Sequence, residues 1–147
     1  MQRLASSKTK VLLAGHPYNL YDALIGEIVT NYLTENNIEI IYSDLINKKI
    51  ITSECEKLPK NNHQTYNKSL LASINYYQDK VDGIIFISSF PCEIDSLNNE
   101  LLSHKIKNTP KLSLTFKDIN NESKVIKELD HFINNLTSIK ERKIWKK

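Results

Sequence analysis

A doubly wound α/β fold, a four-stranded parallel sheet with helices on both faces, is predicted by three observations. Four short segments read as strands: KVLLAG (10–15), IEIIYS (38–43), VDGIIFISS (81–89) and the alternating KLSLTF (111–116). The stretches between and after them carry apolar residues at helical spacing, which yields the order βαβαβαβα. No Pro/Gly/Ser-rich linker divides the 147 residues, a length at which one domain hides roughly 68% of its unfolded surface. One domain is expected over residues 10–139, between a polar arm (1–9) and a basic tail (140–147).

The elements follow in order. The first strand ends at Gly15 and leads into His16-Pro17-Tyr18-Asn19-Leu20-Tyr21, a loop more elaborate than a plain turn. Asp22 is placed to cap the next helix, whose apolar face is Leu24, Ile25, Ile28, Val29, Tyr32 and Leu33, and Asn36-Asn37 stops it. After the second strand, residues 44–60 show no clear period, contain Pro59 and read as a loop. Leu70, Leu71, Ile74 and Tyr77 define a second helix that runs into the central strand. A third helix, from about Asp95, has Leu97, Leu101, Leu102 and Ile106 on its inner face and breaks at Asn108-Thr109-Pro110. KLSLTF has the alternation of a half-buried edge strand, and the last helix carries Val125, Ile126, Leu129, Phe132, Ile133 and Leu136. Short connections and right-handed crossovers then give a Rossmann- or flavodoxin-like sheet of order 2-1-3-4.

Composition narrows the function. Charged residues at 25%, hydrophobic residues at 40% and a formal charge of +3 are ordinary for a globular domain. The excess charge sits at the ends, in Arg3–Lys10 and Lys140–Lys147, with no basic stripe interleaved with aromatics, so no nucleic-acid partner is expected. No apolar run approaches 18 residues and Val11–Ala14 is too short for a signal h-region, so neither a membrane partner nor secretion is expected. The expectation is a cytoplasmic protein. Cys55 and Cys92 lie far apart, which suggests neither a disulfide framework nor a paired-cysteine metal knuckle.

In a sheet of order 2-1-3-4, winding reverses between strands 1 and 3, and ligands sit in the crevice beyond their carboxyl ends. That rule sets residues 16–22 beside residues 90–96. Cys92, just ahead of a helix start at Asp95-Ser96, would feel the partial positive charge of unpaired N–H groups, which favours a thiolate. The plainer alternative is a small side chain filling a loop. His16 is a base, a ligand or a partner to its own loop; Tyr18 and Tyr21 pack the loop or line the crevice; Asp22 and Asp95 serve as helix caps or crevice groups. Cys55, in SECEKLPK, reads as an incidental thiol, and His63, His104 and His131 have no metal spacing.

Several uses of this architecture lack their atoms here. The loop after strand 1 is poor in the Ser, Thr and Gly of a flavin phosphate loop, and Pro17 removes a backbone donor. The G-x-G-x-x-G dinucleotide pattern is missing, since the glycines nearest are Gly15 and Gly26. A phosphatase loop would place an arginine where Asn98 stands, and a phosphoacceptor domain would need acidic residues that neither strand end supplies.

The segments KVLLAGHPYNLYD (10–22), EKLPK (56–60) and VDGIIFISSFPCEIDSLNNELL (81–102) resemble the second α/β lobe of the 2-hydroxyacyl-CoA dehydratase superfamily. Within it they are most similar to the activator-related branch, whose pattern reads GHPYNLYD and, much later, FPCGxDS. The likeness spans roughly residues 10–136. It implies a low-potential iron–sulfur cluster held between two α/β lobes by cysteines from both, with Cys92 as the matched metal ligand and His16, Tyr18, Asn19, Asp22, Asp95 and Ser96 shaping the crevice. It also implies an ATP-dependent activator as electron donor.

Three departures matter. Glu93 stands where the pattern has glycine, an arginine expected near Lys127–Phe132 is absent, and one lobe is present instead of two. A cubane cluster takes about four ligands, so the partner expected is a second cysteine-bearing lobe or subunit, or a second copy of the chain. Enzymatic activity is expected only within such a dehydratase- or reductase-type assembly. The alternative is a non-catalytic α/β binding or regulatory module that has lost the cluster.

Overall fold

The computed structural model describes residues 9–15, 20–23, 26–45, 49, 52–53, 65–89, 109–116 and 122–145. Its elements are β1 (Lys10–Ala14), α1 (Gly26–Glu35), β2 (Glu39–Tyr42), a 3-10 turn at Ser43–Leu45, α2 (Thr65–Tyr77), β3 (Gly83–Ser89), β4 (Lys111–Phe116) and α3 (Glu122–Trp145). The helix expected from Asp95 lies outside the described residues.

The four strands form one sheet of order β2-β1-β3-β4, all parallel, as the alternation of strands and helices predicts. Strands buried on both faces read as continuous apolar runs instead of alternating ones. Val11 to Ala14 and Ile84 to Ile87 accordingly lie 0–1% exposed. On one face, Val29 and Leu33 of α1 and Val125, Leu129, Phe132, Ile133 and Leu136 of α3 pack on Val11, Leu13, Ile85, Ile87 and Leu114. On the other, Leu70 and Ile74 of α2 cover Leu12, Ala14, Ile84 and Phe86. β4 is the edge the sequence suggests, with Leu114 buried and Lys111 and Ser113 exposed.

α1 ends for a local reason. Asn37 adopts φ 62°, a left-handed conformation that asparagine tolerates. The Ile38 N–H then bonds the Leu33 carbonyl at 2.9 Å and the Asn37 N–H bonds that of Thr34 at 3.1 Å, a Schellman close. Ile38 and Leu33 are both buried in the same core cluster, the apolar contact that accompanies such an end.

Two stretches are more structured than their patterns suggest. The segment after β2 begins with a 3-10 turn, and Lys49, Thr52 and Ser53 are helical. Likewise α3 continues through Trp145, so residues 140–145 of the basic tail are helical. Among the described residues, no helix is long and apolar enough to cross a membrane.

Candidate functional site

β1 and β3 are hydrogen-bonded neighbours with Ala14 opposite Phe86, although residues 15–82 of the chain intervene between them. This is the point where winding reverses, and the two parallel strands end at one edge of the sheet.

Gly15 sets how closely the two strand ends approach. A Cβ there would lie 2.7 Å from the Ile87 carbonyl oxygen and 3.5 Å from Leu20 Cδ2. The obstructing atom is backbone and cannot rotate aside, so the glycine of GHPYNLYD is required by close approach. No glycine among the described residues has positive φ.

A polar strap fixes the start of the first loop from the β2 side. The Gly15 N–H donates to Ser43 Oγ at 3.4 Å, and Ser73 Oγ of α2 donates to the Ser43 carbonyl at 2.7 Å. Ser43 and Ser73 are both buried, and these bonds answer part of their polarity there. Leu20, 1% exposed, anchors the returning end of the loop in the core. Next to it Tyr21 turns outward, its ring stacked on Tyr42 at a centroid distance of 5.4 Å. The Tyr21 hydroxyl donates to Asp44 Oδ1 at 3.0 Å. Partial desolvation, followed by that bond and the carboxylate's charge, pushes the phenol up to about 12. The Asp22 carbonyl then accepts the Glu27 N–H at 3.0 Å, leading the chain into α1.

The edge thus presents a loop tied down at Gly15, plugged by Leu20 and clamped at Tyr21. Of the residues expected to shape the crevice, Asp22 lies at this edge, while His16, Tyr18, Asn19, Asp95 and Ser96 lie outside the described residues, as do the metal-ligand candidate Cys92 and Cys55. His131 is exposed on α3. Among the described residues no group of three or more His, Cys, Asp or Glu side chains is arranged to hold a metal ion. Asp44, Ser43 and Ser73 are the groups that sequence reasoning missed. The available signal was an aspartate directly after the second strand, at the carboxyl edge beside the first loop.

Fold and edge together define a flavodoxin-like α/β protein whose winding reverses between β1 and β3. Comparison with protein-family models, curated proteins and solved structures finds no match to this chain.

Proposed function

We propose that this chain is one lobe or subunit of a 2-hydroxyacyl-CoA dehydratase-like iron–sulfur protein, in which Cys92 contributes one ligand to a cluster shared with another lobe. The observation that carries the reading is the adjacency of β1 and β3. The two stretches that resemble the family, GHPYNLYD and FPCEIDS, follow in the sequence on β1 and β3, which are neighbouring parallel strands. Two cysteines in the chain fall short of the roughly four ligands of a cubane cluster, so a second lobe, a second subunit or a second copy supplies the rest. When bound, the cluster would supply one-electron chemistry, with an ATP-dependent activator as electron source. This chain's part is to hold a thiolate and to fix the first loop beside it.

Anaerobic incubation with iron and sulfide, with the chain alone and with a separately expressed cysteine-bearing lobe, tests the reading. Broad visible absorption that Cys92→Ser abolishes and Cys55→Ser retains is the expected result. Its absence in both mixtures overturns the cluster role. The second reading, a binding or regulatory module on the same fold, draws on Glu93, which sets a carboxylate and a bulkier side chain beside Cys92 where the family pattern has glycine.

A further inference from the structure

The sheet ends at β2, and the main chain of that strand is only half used. In a strand the N–H and C=O of one residue point to the same side and those of the next residue to the other. The Glu39 N–H bonds the Thr9 carbonyl at 2.9 Å, so Glu39 and Ile41 face β1, while the main-chain groups of Ile40 and Tyr42 face away from the sheet. Among the described residues no hydrogen bond reaches the outward N–H groups of Ile40 and Tyr42 or the Ile40 carbonyl.

An open edge of this kind is usually blunted by lysine, proline or a bulge. The opposite edge, β4, begins with the exposed Lys111. β2 has Glu39 at its start and then Ile40, Ile41 and Tyr42, all half-buried. Tyr21 and Leu45, the large apolar side chains that stand exposed among the described residues, both lie at the carboxyl end of this strand: Tyr21 stacks on Tyr42, and Leu45 ends the 3-10 turn that follows.

We infer that β2 pairs with β2 of a second copy, antiparallel about a two-fold axis at Ile41, which joins two four-stranded sheets into one. Ile40 then lies opposite Tyr42 of the second copy, and each N–H meets the other's carbonyl. The Tyr42 carbonyl leads into the 3-10 turn and accepts through its second lone pair. Residues 40 and 42 are equally far from the axis, so the same exchange repeats across it. Ile40 and Tyr42 share the α1 face and Ile41 the α2 face. A β-branched residue therefore meets an aromatic one over the first core, and Ile41 meets its own mate over the second. A register centred on Ile40 fits worse: it sets Tyr42 against Ile38, whose N–H is already given to the Leu33 carbonyl, and Glu39 against Ile41. This self-matching selects a second copy over a foreign strand, and an isologous contact closes at a dimer. The paired strands run in opposite directions, so the carboxyl edges of the two sheets face opposite ways and the dimer does not depend on a shared cluster.

Sedimentation velocity on the full chain tests it. The wild-type chain is expected to form a dimer that raised salt does not dissociate, because no charge pair holds it. Ile40→Pro deletes an outward N–H and no bond of the chain's own sheet, a change that an edge strand accommodates. It is expected to weaken the dimer about tenfold or more while the far-UV circular dichroism is kept. Ile41→Lys and Ile41→Glu each oppose like charges at the axis and are expected to be monomeric, whereas their equimolar mixture opposes unlike charges and is expected to recover a dimer. That recovery also shows that both variants are folded. If Ile40→Pro loses its helical signal, the two charged variants and their mixture decide alone. A wild-type monomer, a dimer that salt dissociates, a dimer that a folded Ile40→Pro or Ile41→Lys leaves intact, or a mixture that stays monomeric overturns the proposal.

Discussion

The β1–β3 pair is built differently at its two ends, and a glycine marks each. At the amino end, Gly83 receives α3: a Cβ there would meet Leu136 Cδ1 at 2.8 Å and Phe132 Cζ at 2.9 Å. At the carboxyl end, Gly15 meets the Ile87 carbonyl oxygen at 2.7 Å. One obstacle is the tips of side chains that can turn or shift, whereas the other is backbone within the sheet. The amino end is held by packing and by Asp82, whose carboxylate accepts the Lys10 N–H at 2.8 Å and faces Lys140 Nζ at 3.8 Å. The carboxyl end is held by hydrogen bonds from single residues of the 3-10 turn after β2 and of α2. A tolerant end carries the helix, and an intolerant end carries the loops.

The sharpest break of this comparison is Gly15→Ala. With a carbonyl oxygen in the way, relief requires β1 to separate from β3, and overpacking of that kind is expected to cost about 3 kcal/mol. Urea denaturation, read as a fall in midpoint at constant slope, measures it. An unchanged midpoint would show that the strand ends part easily and that Gly15 does not set their distance.

Gly83→Ala should cost less, about 1–2 kcal/mol, because Leu136 and Phe132 can yield. Its distinguishing property is rescue. In a Leu136→Ala background the added methyl should be close to neutral, which gives a coupling of about 1 kcal/mol in a double-mutant cycle. No side-chain truncation is expected to rescue Gly15→Ala. If Leu136→Ala and Gly83→Ala are simply additive, the packing account of the amino end fails.

The same asymmetry explains what the sequence made legible. Strands and helix faces rest on repetition: Val11 to Ala14, Ile84 to Ile87 and the Val125–Leu129–Phe132–Leu136 stripe each state their environment several times over. The sheet order follows from the alternation of those elements and the sense of their crossovers. The carboxyl edge rests on single residues with no repetition. Ser73 sits in mid-helix and looks like an indifferent polar residue until the turn at Ser43 arrives against it. Asp44 reads as loop until Tyr21 comes back to it from the other side of α1. The charged run after Leu136 reads as a solvated tail because periodicity detects repeated apolar positions, and this run has none at regular spacing.

The smallest expected effect sharpens the carboxyl edge through pH. Tyr21 is 53% exposed, so its bond to Asp44 contributes little to stability and its value lies in where it holds the loop. Its phenol ionises at about 12 in the folded chain instead of near 10, because partial burial and the bond to Asp44 both favour the neutral form. The sign follows directly: a proton held more tightly in the folded state favours folding below the unfolded pKa, near 10, and that contribution disappears as pH rises through about 12. Tyr32 is raised as well, by partial burial and by its bond to Asp130, so total tyrosine absorbance does not isolate Tyr21. The difference in phenolate absorbance between the wild-type chain and Tyr21→Phe does. Its midpoint is expected near 12 and should move toward 10 in an Asp44→Asn background, because the carboxylate's charge is gone while an amide oxygen remains to accept the hydroxyl. A midpoint that stays high in that background would assign the shift to burial against Tyr42, and the clamp on the first loop would then be the stacked pair of rings, with Asp44 incidental to it.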